Sequence, residues 1–400
     1  MNGLRRVPLG DVVTRIKRKA TSQTRVMTVA ADRGLVDQEN FFTKKVASKN
    51  LTTYYVVERG DLVYNKSSSK DAPFGVVARM TEGEPGVVTP LYICFRADTD
   101  FVTPEFLELA CNSSTFFASL AGKLREGARS HGLLNVRLEE FFAAQVLLPP
   151  LDVQRRIVDL IGALDDNIEA SVAELGEGRT LLDATRTAVL SEIPSSGSIA
   201  EVLTKAKAGG TPSRSRPDYY GGKVPWLKSG EVAGRSIVET EETITESAIR
   251  DSSAWMVPPG AVVIAMYGAT AAQVGRTASE LATNQAVLAL VPDNSAIDGR
   301  FLYHWASNAS ARLKHAATGA AQANLSKEVV LRLLERPLVD IGEQRDVVNI
   351  LDAIADVEST ISRHLAASRE FRANLIPALL SGAVEIPESY DELFGLQEAV

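Results

Sequence analysis

Apolar residues along this chain follow two different periods, and the two periods alternate. Short runs rich in β-branched and aromatic residues, bounded by Gly, Pro and Asp, predict β-strands. These runs are 54–57, 61–64, 75–78 and 91–95 in the first part of the chain, and 261–267 and 286–291 in the second part. Helical periodicity predicts one helix over 106–120 and another over 301–315. The pattern therefore predicts two mixed α/β bodies.

Each predicted body is followed by a long stretch in which apolar residues recur every seven positions. Such a repeat is typical of helices that supercoil around each other. The residues assigned to this seam and to the partner interface are Ile161, Leu164, Ile168, Leu175, Leu182, Val347, Leu351, Ile354, Ile361 and Leu365. The polar or small residues that interrupt it are Ser171, Gly178, Glu358, Ser368 and Arg372. The repeat favours pairing of the two helices over the alternative, in which each helix packs only on its own body.

The two halves of the chain are also related to each other in sequence. The matching segments are 9–17 with 199–207, 60–64 with 260–264, 106–107 with 301–302, and 154–155 with 344–345. Two similar modules in one chain suit a bipartite target or a pseudo-symmetric assembly. We therefore predict a first body over 1–150, a long helix over 151–193, a second body over 194–336, a second long helix over 337–382, and an acidic, loosely ordered tail over 383–400.

Composition narrows the class of protein. Hydrophobic residues make up 45% of the 400 residues, and no apolar run approaches the roughly 20 residues that span a bilayer. Cys94 and Cys111 are the only cysteines, which argues against a disulfide framework and for a reducing compartment. We therefore expect a cytoplasmic protein without a membrane partner.

The net charge of −7 is unevenly distributed. Basic residues outnumber acidic residues by 20 to 16 over 1–150 and by 15 to 13 over 194–336. Acidic residues outnumber basic residues by 9 to 4 over 151–193 and by 12 to 4 over 337–400. Such a distribution fits bodies that meet a polyanion and helices that meet protein, but it fits an ordinary solvated surface equally well.

The densest motif is residues 209–232, which read GGTPSRSRPDYYGGKVPWLKSGEV. Arg and Lys contact phosphates, Arg also reads guanine edges, and aromatic rings stack on bases. Gly additionally lets a backbone approach a ligand closely. We predict DNA contact by Thr211, Ser213, Arg214, Arg216, Tyr219, Tyr220, Lys228 and Ser229. The alternative is that the aromatic residues are core and the glycines only turn the chain; for Trp226 the core interpretation is favoured.

The first body lacks such a glycine loop and offers two other polar segments. The corresponding basic segment contains Lys17, Arg18 and Lys19. A predicted strand also leads directly into a second set of candidate DNA contacts, which comprises Asn65, Lys66, Ser67, Ser68 and Lys70. The equivalent stretch of the second body contributes Tyr267 and Gln273. A solvated loop is the alternative for each of these stretches.

Motifs for catalysis are absent from the sequence. There is no G-x-x-x-x-G-K-[ST] phosphate loop, no G-x-S-x-G elbow and no methyltransferase-like [ND]-P-P-[YF] tetrapeptide. The four histidines do not have metal-ligand spacing with the two cysteines. The absence of these motifs indicates that the chain is a non-catalytic targeting component. The alternative is an enzyme whose active site follows none of these motifs.

Several of these segments resemble one known family. Residues 209–232 closely resemble the opening of a target-recognition domain in type I restriction–modification specificity subunits. Residues 147–169 and 337–361 resemble that family's central and distal helical regions, and GDLVYNK at 60–66 with GVVTPLYICFR at 86–96 resembles another target-recognition variant. Two segments depart from the family pattern. The first body lacks the GGTPS-type loop, and residues 339–345 read VDIGEQR where the family more often has a proline-rich segment.

The resemblance implies an α+β fold, with two pseudo-repeated target-recognition domains joined by two long helices that form an antiparallel coiled coil. It implies that each body reads one half of a bipartite double-stranded DNA target. The helices would dock two methyltransferase subunits, and a restriction subunit could join them. S-adenosylmethionine would belong to the methyltransferase, and ATP with Mg to the restriction subunit, leaving no cofactor or metal in this chain. The residues alone leave open a coiled-coil scaffold that binds proteins and not DNA.

Overall fold

The computed structural model describes residues 3–21, 25–30, 33–41, 51–68, 72–81, 83–120, 125–126, 134–318 and 324–394. The chain divides into two compact units. Unit 1 comprises Met1–Ala170 with His364–Val400, and unit 2 comprises Ser171–Arg363. Each unit therefore contains one body and one half of each long helix.

The first body, in unit 1, is a mixed α/β structure. Its strands are β1 (Arg5–Pro8), β2 (Val13–Arg15), β3 (Met27–Ala30), β4 (Gly34–Asp37), β5 (Tyr55–Val57), β6 (Leu62–Asn65), β7 (Val76–Arg79), β8 (Gly86–Val88), β9 (Ile93–Ala97), β10 (Arg125–Glu126), β11 (Leu134–Asn135) and β12 (Gln145–Leu148). Its helices are α1 (Gln38–Phe41), α2 (Pro104–Cys111), α3 (Ser114–Ser119) and α4 (Leu138–Phe142), and they are followed by the long helix α5 (Leu151–Ser191). Strands β2, β9, β6 and β7 form an antiparallel sheet in that order.

The second body, in unit 2, repeats this sheet and extends it. Its strands are β13 (Ser195–Ser198), β14 (Leu203–Ala208), β15 (Tyr220–Leu227), β16 (Gly234–Ile237), β17 (Thr243–Ile244), β18 (Met256–Val257), β19 (Val262–Ala265), β20 (Val274–Thr277), β21 (Leu281–Thr283), β22 (Val287–Pro292) and β23 (Glu335–Pro337). Its helices are α6 (Glu246–Arg250), α7 (Gly299–Asn308), α8 (Ser310–Thr318) and α9 (Lys327–Leu333), followed by α10 (Ile341–Ser381) and α11 (Ser389–Phe394). The order β14, β22, β19, β20 matches β2, β9, β6, β7, and β16 adds a parallel edge strand.

Each helix predicted within a body is in fact two helices, so the predictions of single helices over 106–120 and 301–315 were wrong. The break in the first body follows from capping. Helix α2 ends at Cys111 with Asn112 as its C-cap, and the Ser113 hydroxyl then accepts a hydrogen bond from the Phe116 N–H at 3.2 Å. Serine at such a position satisfies an amide that has no intrahelical partner, which starts a new helix. The strands predicted over 54–57, 61–64, 75–78 and 91–95 correspond to β5, β6, β7 and β9.

A buried glutamine at the start of α5 connects three segments of unit 1. Gln154 is fully buried. Its side-chain oxygen accepts a hydrogen bond from the Thr103 N–H at 3.0 Å, and its amide donates to the carbonyls of Phe101 and Pro149 at 2.9 Å each. Because Thr103 caps α2, the long helix is tied to the helix that covers the sheet.

Unit 2 repeats this glutamine clamp at the start of α10. The Gln344 side chain is buried and accepts a hydrogen bond from the Asp298 N–H at 2.8 Å. It donates to the carbonyls of Ala296 and Val339 at 3.1 Å each. Asp298 caps α7, as Thr103 caps α2. The alignment of 154–155 with 344–345 therefore reflects a shared structural role.

The two long helices pack against each other in antiparallel directions in unit 1. Arg372 of α10 forms an ion pair with Asp165 of α5, and His364 lies 3.3 Å from the side-chain oxygen of Asn167. Positions increase along α5 as their partners decrease along α10, which defines the antiparallel direction. Arg372, a polar interruption of the seven-residue repeat, thus finds a carboxylate on the facing helix.

The helices also pair in unit 2, here around apolar side chains. Leu182 of α5 clusters with Leu351 and Ala355 of α10. Glu358, another polar interruption of the repeat, accepts a hydrogen bond from Arg179 at 2.9 Å. The fold class and the antiparallel pairing of the helices are confirmed.

The residues assigned to the seam fall into two groups by exposure. The buried group is Ile161, Leu175, Leu182, Leu351 and Leu365. The half-buried group is Leu164, Ile168, Val347, Ile354 and Ile361. A residue at the edge of the contact between two helices keeps one side open to water, so half-burial is compatible with a position at the edge of the seam.

Part of the acidic tail predicted over 383–400 forms helix α11, and residues 395–400 of that tail lie outside the described residues. Helix α11 lies in unit 1, where Asp391 forms two hydrogen bonds of 2.9 and 2.7 Å with the guanidinium of Arg156. Its neighbour Tyr390 is 9% exposed. Burial of Tyr390 and the bidentate ion pair of Asp391 therefore hold α11 on unit 1. Among the helices that the structure describes, none is long and apolar enough to cross a membrane.

Candidate nucleic-acid interface

The glycine-rich segment of the second body is packed closely against its own sheet. A Cβ atom on Gly209 would lie 2.0 Å from the Thr283 carbonyl oxygen, and one on Gly210 would lie 2.2 Å from the Ser253 hydroxyl. The Gly210 N–H donates to the Thr283 carbonyl at 2.9 Å. The two glycines let the backbone of this segment approach the backbone of its neighbours. This packing by itself accounts for glycine at both positions, without contact with a ligand.

Two aromatic residues of this segment belong to the core. Trp226 is 2% exposed and donates its indole N–H to the Gly210 carbonyl at 3.1 Å. Tyr219 is 6% exposed and bonds through its hydroxyl to Asp251 at 3.1 Å. The core interpretation of Trp226 is thus confirmed. Tyr219 is also buried, which does not favour its assignment as a DNA contact.

Arg214 is held on the surface of this aromatic core. Its guanidinium carbon lies 4.4 Å from the ring centre of Tyr220 and 5.3 Å from that of Trp226. Its two terminal nitrogens bond to the Glu242 carboxylate at 2.8 and 3.3 Å. The Tyr220 hydroxyl in turn donates to the Pro212 carbonyl at 2.6 Å. Stacking and pairing together fix the plane of the guanidinium, while 57% of the side chain stays exposed.

Lys228 shares the same carboxylate. Its ammonium lies 3.2 Å from Glu242 and 2.9 Å from Glu241. The hydrogen bond from Arg214, and then that from Lys228, lowers the pKa of Glu242. Three segments of the second body therefore meet in one charged cluster on an aromatic base.

Arg216 forms a separate cluster beside this one. Its guanidinium lies 4.5 Å from the ring centre of Tyr219 and bonds to Asp218 at 2.9 and 2.7 Å. The hydrogen bond to Asp218 raises the pKa of Arg216. The Arg216 side chain is 54% exposed. It covers the buried ring of Tyr219 while its own charge faces solvent.

The hydroxyl-bearing candidates of this segment bond to nearby side chains. Thr211 donates to the side chain of Gln285, and the Ser213 hydroxyl lies 2.8 Å from that of Ser215. Ser229 begins a short turn and is half-buried. These contacts hold the segment in shape, and a role in DNA contact stays a prediction for Thr211, Ser213 and Ser229.

The first body also contains a charged cluster, at its basic segment. Arg18 and Arg96 both bond to the Glu58 carboxylate, the latter at 2.8 Å. Arg96 bonds as well to the buried Asp61 at 2.6 and 3.0 Å. The hydrogen bond from Arg18, and then that from Arg96, lowers the pKa of Glu58. One carboxylate thus joins two cations here, as in the second body.

The neighbours of Arg18 in sequence contribute differently. Lys19 donates to the Thr53 carbonyl at 2.7 Å, and its ammonium lies 4.0 Å from the ring centre of Tyr55. Lys17 is exposed. The cation-on-aromatic arrangement found at Arg214 is therefore repeated at Lys19.

The segment that follows β6 turns away from the strand through its own side chains. The Asn65 amide donates to the Val29 carbonyl at 3.3 Å, and its oxygen accepts a hydrogen bond from the Ser67 N–H at 3.0 Å. Burial lowers the pKa of Lys66. Ser68 is half-buried, and Lys70 lies outside the described residues.

The equivalent segment of the second body contains Tyr267 and Gln273. Tyr267 is 38% exposed, and Gln273 is exposed as well. Between them Ala272 adopts a φ of 70°, which is uncommon for a residue other than glycine. Its carbonyl accepts a hydrogen bond from the Ser310 hydroxyl at 2.7 Å.

Reasoning from the sequence missed the partners of the predicted cations, among them Glu58, Arg96 and Glu242. Arg96 is 38 residues from Glu58, and Glu242 is 28 residues from Arg214. No spacing rule joins residues so far apart, because the sheet topology brings them together. Among the described residues, no group of three or more His, Cys, Asp or Glu side chains is placed to hold a metal ion.

The chain is similar in sequence to several known proteins. Residues 195–367 match the type I restriction modification DNA specificity domain family. The chain is 26% identical over 177 residues to the specificity subunit of the type I restriction enzyme EcoR124I/EcoR124II from Escherichia coli, covering 42% of this chain and 43% of that subunit. It is 21% identical over 472 aligned positions to the HindI specificity subunit from Haemophilus influenzae, covering 96% of this chain and 100% of that one.

Similarity also extends to a solved structure. A chain from a structural study of complex assembly and conformational transition of the type I R-M system superimposes with a TM-score of 0.58. The superposition covers 95% of this chain and 98% of that chain, at 18% sequence identity. At this identity the superposition establishes a shared fold.

Proposed function

We propose that this chain, which belongs to the family of type I restriction–modification specificity subunits, recognises a bipartite double-stranded DNA target for a multisubunit complex. The observation that carries the proposal is a repeated frame that presents exposed cations beside aromatic rings in both bodies. The two bodies share one sheet order and one buried glutamine clamp. The first body exposes Lys19 beside the ring of Tyr55, and the second body exposes Arg214 and Arg216 beside the rings of Tyr220 and Tyr219. Each body reads one half of the target.

The chemistry of the clusters suits duplex DNA. Exposed guanidinium and ammonium groups bind phosphates, and a guanidinium held in a fixed plane can form two hydrogen bonds to guanine. Arg214 is such a group, since it is fixed by Glu242 and Tyr220. Recognition combines these contacts with the shape of the DNA, so the two clusters need not read the same bases.

The long helices recruit the methyltransferase in this proposal. Helix α10 carries two exposed apolar side chains seven residues apart in unit 2, Ile350 at 53% and Val357 at 60% exposure. These two positions are not among the residues assigned to the seam and were not found by reasoning from the sequence. Exposed apolar side chains suit contact with protein, and the acidic helices repel phosphate. We infer that two methyltransferase subunits dock there, and that restriction subunits can join.

The proposal assigns catalysis to the partners. S-adenosylmethionine, held by a methyltransferase subunit, supplies the methyl group for an adenine that is flipped out of the stack. ATP and Mg belong to the restriction subunit. This chain is non-catalytic in the proposal, contains no cofactor, and acts with host DNA in the cytoplasm.

Mapping of methylated adenines tests the DNA assignment. Host DNA from cells with and without this chain should differ at one bipartite motif, and the assembled complex should bind a duplex with that motif less tightly as salt rises, because bound phosphates release counterions. Replacing Arg214 and Arg216 by Ala should weaken this binding and lower the melting temperature only slightly, because both side chains are more than half exposed. Salt-insensitive binding, or none to any duplex, would favour a protein-only scaffold. Methylation by the isolated chain would favour an enzyme.

A charge substitution at these two exposed positions of α10 tests the docking surface. Ile350→Asp with Val357→Asp should abolish copurification of the methyltransferase subunits while the free chain melts normally, because both side chains are exposed in the free chain. Val238→Asp is the matched control, since Val238 is 51% exposed but lies on the second body. Normal assembly of the double variant would contradict docking at these two positions.

A further inference from the structure

One carboxylate in each body is shared by two cations of the candidate interface. Glu242 binds both Arg214 and Lys228, and its side chain is 34% exposed. Glu58 binds Arg18 and Arg96, and its side chain is 35% exposed. The two glutamates occupy different places in the fold, one after β5 and the other before β17. The same arrangement is therefore built twice from unrelated segments.

The contact with Glu242 restricts the direction in which Arg214 can act. Both terminal nitrogens of the guanidinium bond to the carboxylate, and one face of the group covers Tyr220. Donors on the remaining edge consequently point in a fixed direction. Guanine recognition needs such a fixed planar geometry, whereas a phosphate accepts a cation from many directions.

The same carboxylate weakens contact between these cations and phosphates. Binding to DNA outside a target comes essentially from neutralisation of phosphates by Lys and Arg. At Glu242 a negative charge already lies within 3.2 Å of the Lys228 ammonium and within 2.8 Å of a guanidinium nitrogen. An approaching phosphate meets a cluster whose positive charge is partly compensated, and it is repelled by the carboxylate itself.

We propose that Glu242 is a specificity-determining positioning residue, which holds Arg214 for base contact and shields Arg214 and Lys228 from phosphates. Glu58 has the equivalent role toward Arg18 and Arg96 in the first body. The inference rests on the proposed function, because it concerns how a DNA-reading body distinguishes its half-site from other DNA.

The test uses Glu242→Gln in the full chain, assembled with its methyltransferase subunits. Two probes are compared: a duplex with the mapped target, and a duplex of the same composition with both half-sites scrambled. Affinity for the scrambled duplex should rise by roughly threefold to tenfold, and the slope of log K against log salt should steepen by about 1. Affinity for the target should not rise, so the ratio of the two affinities should fall by at least the same factor of roughly threefold to tenfold.

A matched control and a second variant make the result specific. Glu239→Gln removes the same charge from an exposed position that contacts neither cation, and it should leave the ratio unchanged. Glu58→Gln should relax discrimination only at the half-site read by the first body, and Glu242→Gln only at the other.

The possible outcomes separate the inference from the function on which it rests. An unchanged affinity for the scrambled duplex and an unchanged salt slope would overturn the inference. An equal rise on both duplexes would also overturn it, because the glutamate would then only compete with DNA. If the unmodified complex does not distinguish the two duplexes, the proposed function itself fails.

Discussion

The two bodies share an internal frame but differ at the surface where DNA contact is proposed. In the second body, Gly209 and Gly210 bring the loop into backbone contact with the sheet, and Arg214 covers the aromatic residues that follow. In the first body, Lys19 occupies the equivalent stretch and binds the Thr53 carbonyl instead. The frame depends on strand pairing and burial, which both sequences satisfy. The surfaces are free to diverge, which suits two modules that read different half-sites.

The largest expected effect comes from closing the space that the glycine loop needs. Gly209→Ala places a Cβ 2.0 Å from a carbonyl oxygen of Thr283, and we expect a loss of at least about 3 kcal/mol in the free energy of unfolding of the second body. Hydrogen exchange measured separately for the two bodies should show the loss in the second body alone. Gly230→Ala is the control, because nothing lies within 4 Å of its added Cβ; an equal loss there would contradict the packing argument.

Substitutions of the two buried glutamines test whether the shared frame contributes equally to stability in the two bodies. Gln344→Leu and Gln154→Leu each leave one backbone N–H and two carbonyls without their side-chain partner. We expect each substitution to lower the free energy of unfolding by about 2 kcal/mol, since buried polar groups would remain unpaired. Urea denaturation should give similar losses for both. A large loss for only one of the two variants would show that the equivalent glutamines contribute unequally to the free energy of unfolding.

Smaller effects are expected from the ion pairs between α5 and α10. Arg372→Leu in unit 1 and Arg179→Leu in unit 2 each remove one such pair. Because the pairs are partly exposed to solvent, we expect losses of about 0.5 kcal/mol or less, and smaller ones at high salt. Thermal melts at two salt concentrations would measure this. A loss comparable to that of the glutamine variants would mean that these pairs, and not the apolar contacts, dominate helix pairing.

The smallest effect concerns α11, which is held in unit 1. The Arg156 guanidinium lowers the pKa of Asp391, so the ion pair contributes fully above the ordinary aspartate pKa of about 3.9 and is lost as pH falls through the lower folded value. Hydrogen-exchange protection of residues 389–394 should therefore decrease in acid. Asp391→Asn should show reduced protection at neutral pH and little further change in acid. If protection is the same in both proteins at neutral pH, burial of Tyr390 alone holds the helix.

Much of the frame could be predicted from the sequence. The seven-residue repeat gave the pairing of the helices, and β-branched runs gave the main strands of the first sheet, because both patterns are local consequences of which face is buried. The single helix predicted over 106–120 was wrong because apolar periodicity continues across Asn112 and Ser113, although a hydroxyl cap starts a new helix there. The aromatic core around Trp226 was predicted, but burial of Tyr219 was not.

The sequence by itself determined that this protein has two related α/β bodies, two long helices and a basic, aromatic-rich segment in the second body, since these features depend on residues near one another in the chain. Only the tertiary structure decided which carboxylates Arg18, Arg96, Arg214 and Lys228 meet. Glu58 and Arg96 come together because β6 and β9 pair, and Glu242 meets Arg214 beside the edge where β17 pairs with β15. Charges interact through space, so their partners are set by the path of the sheet and not by distance along the chain.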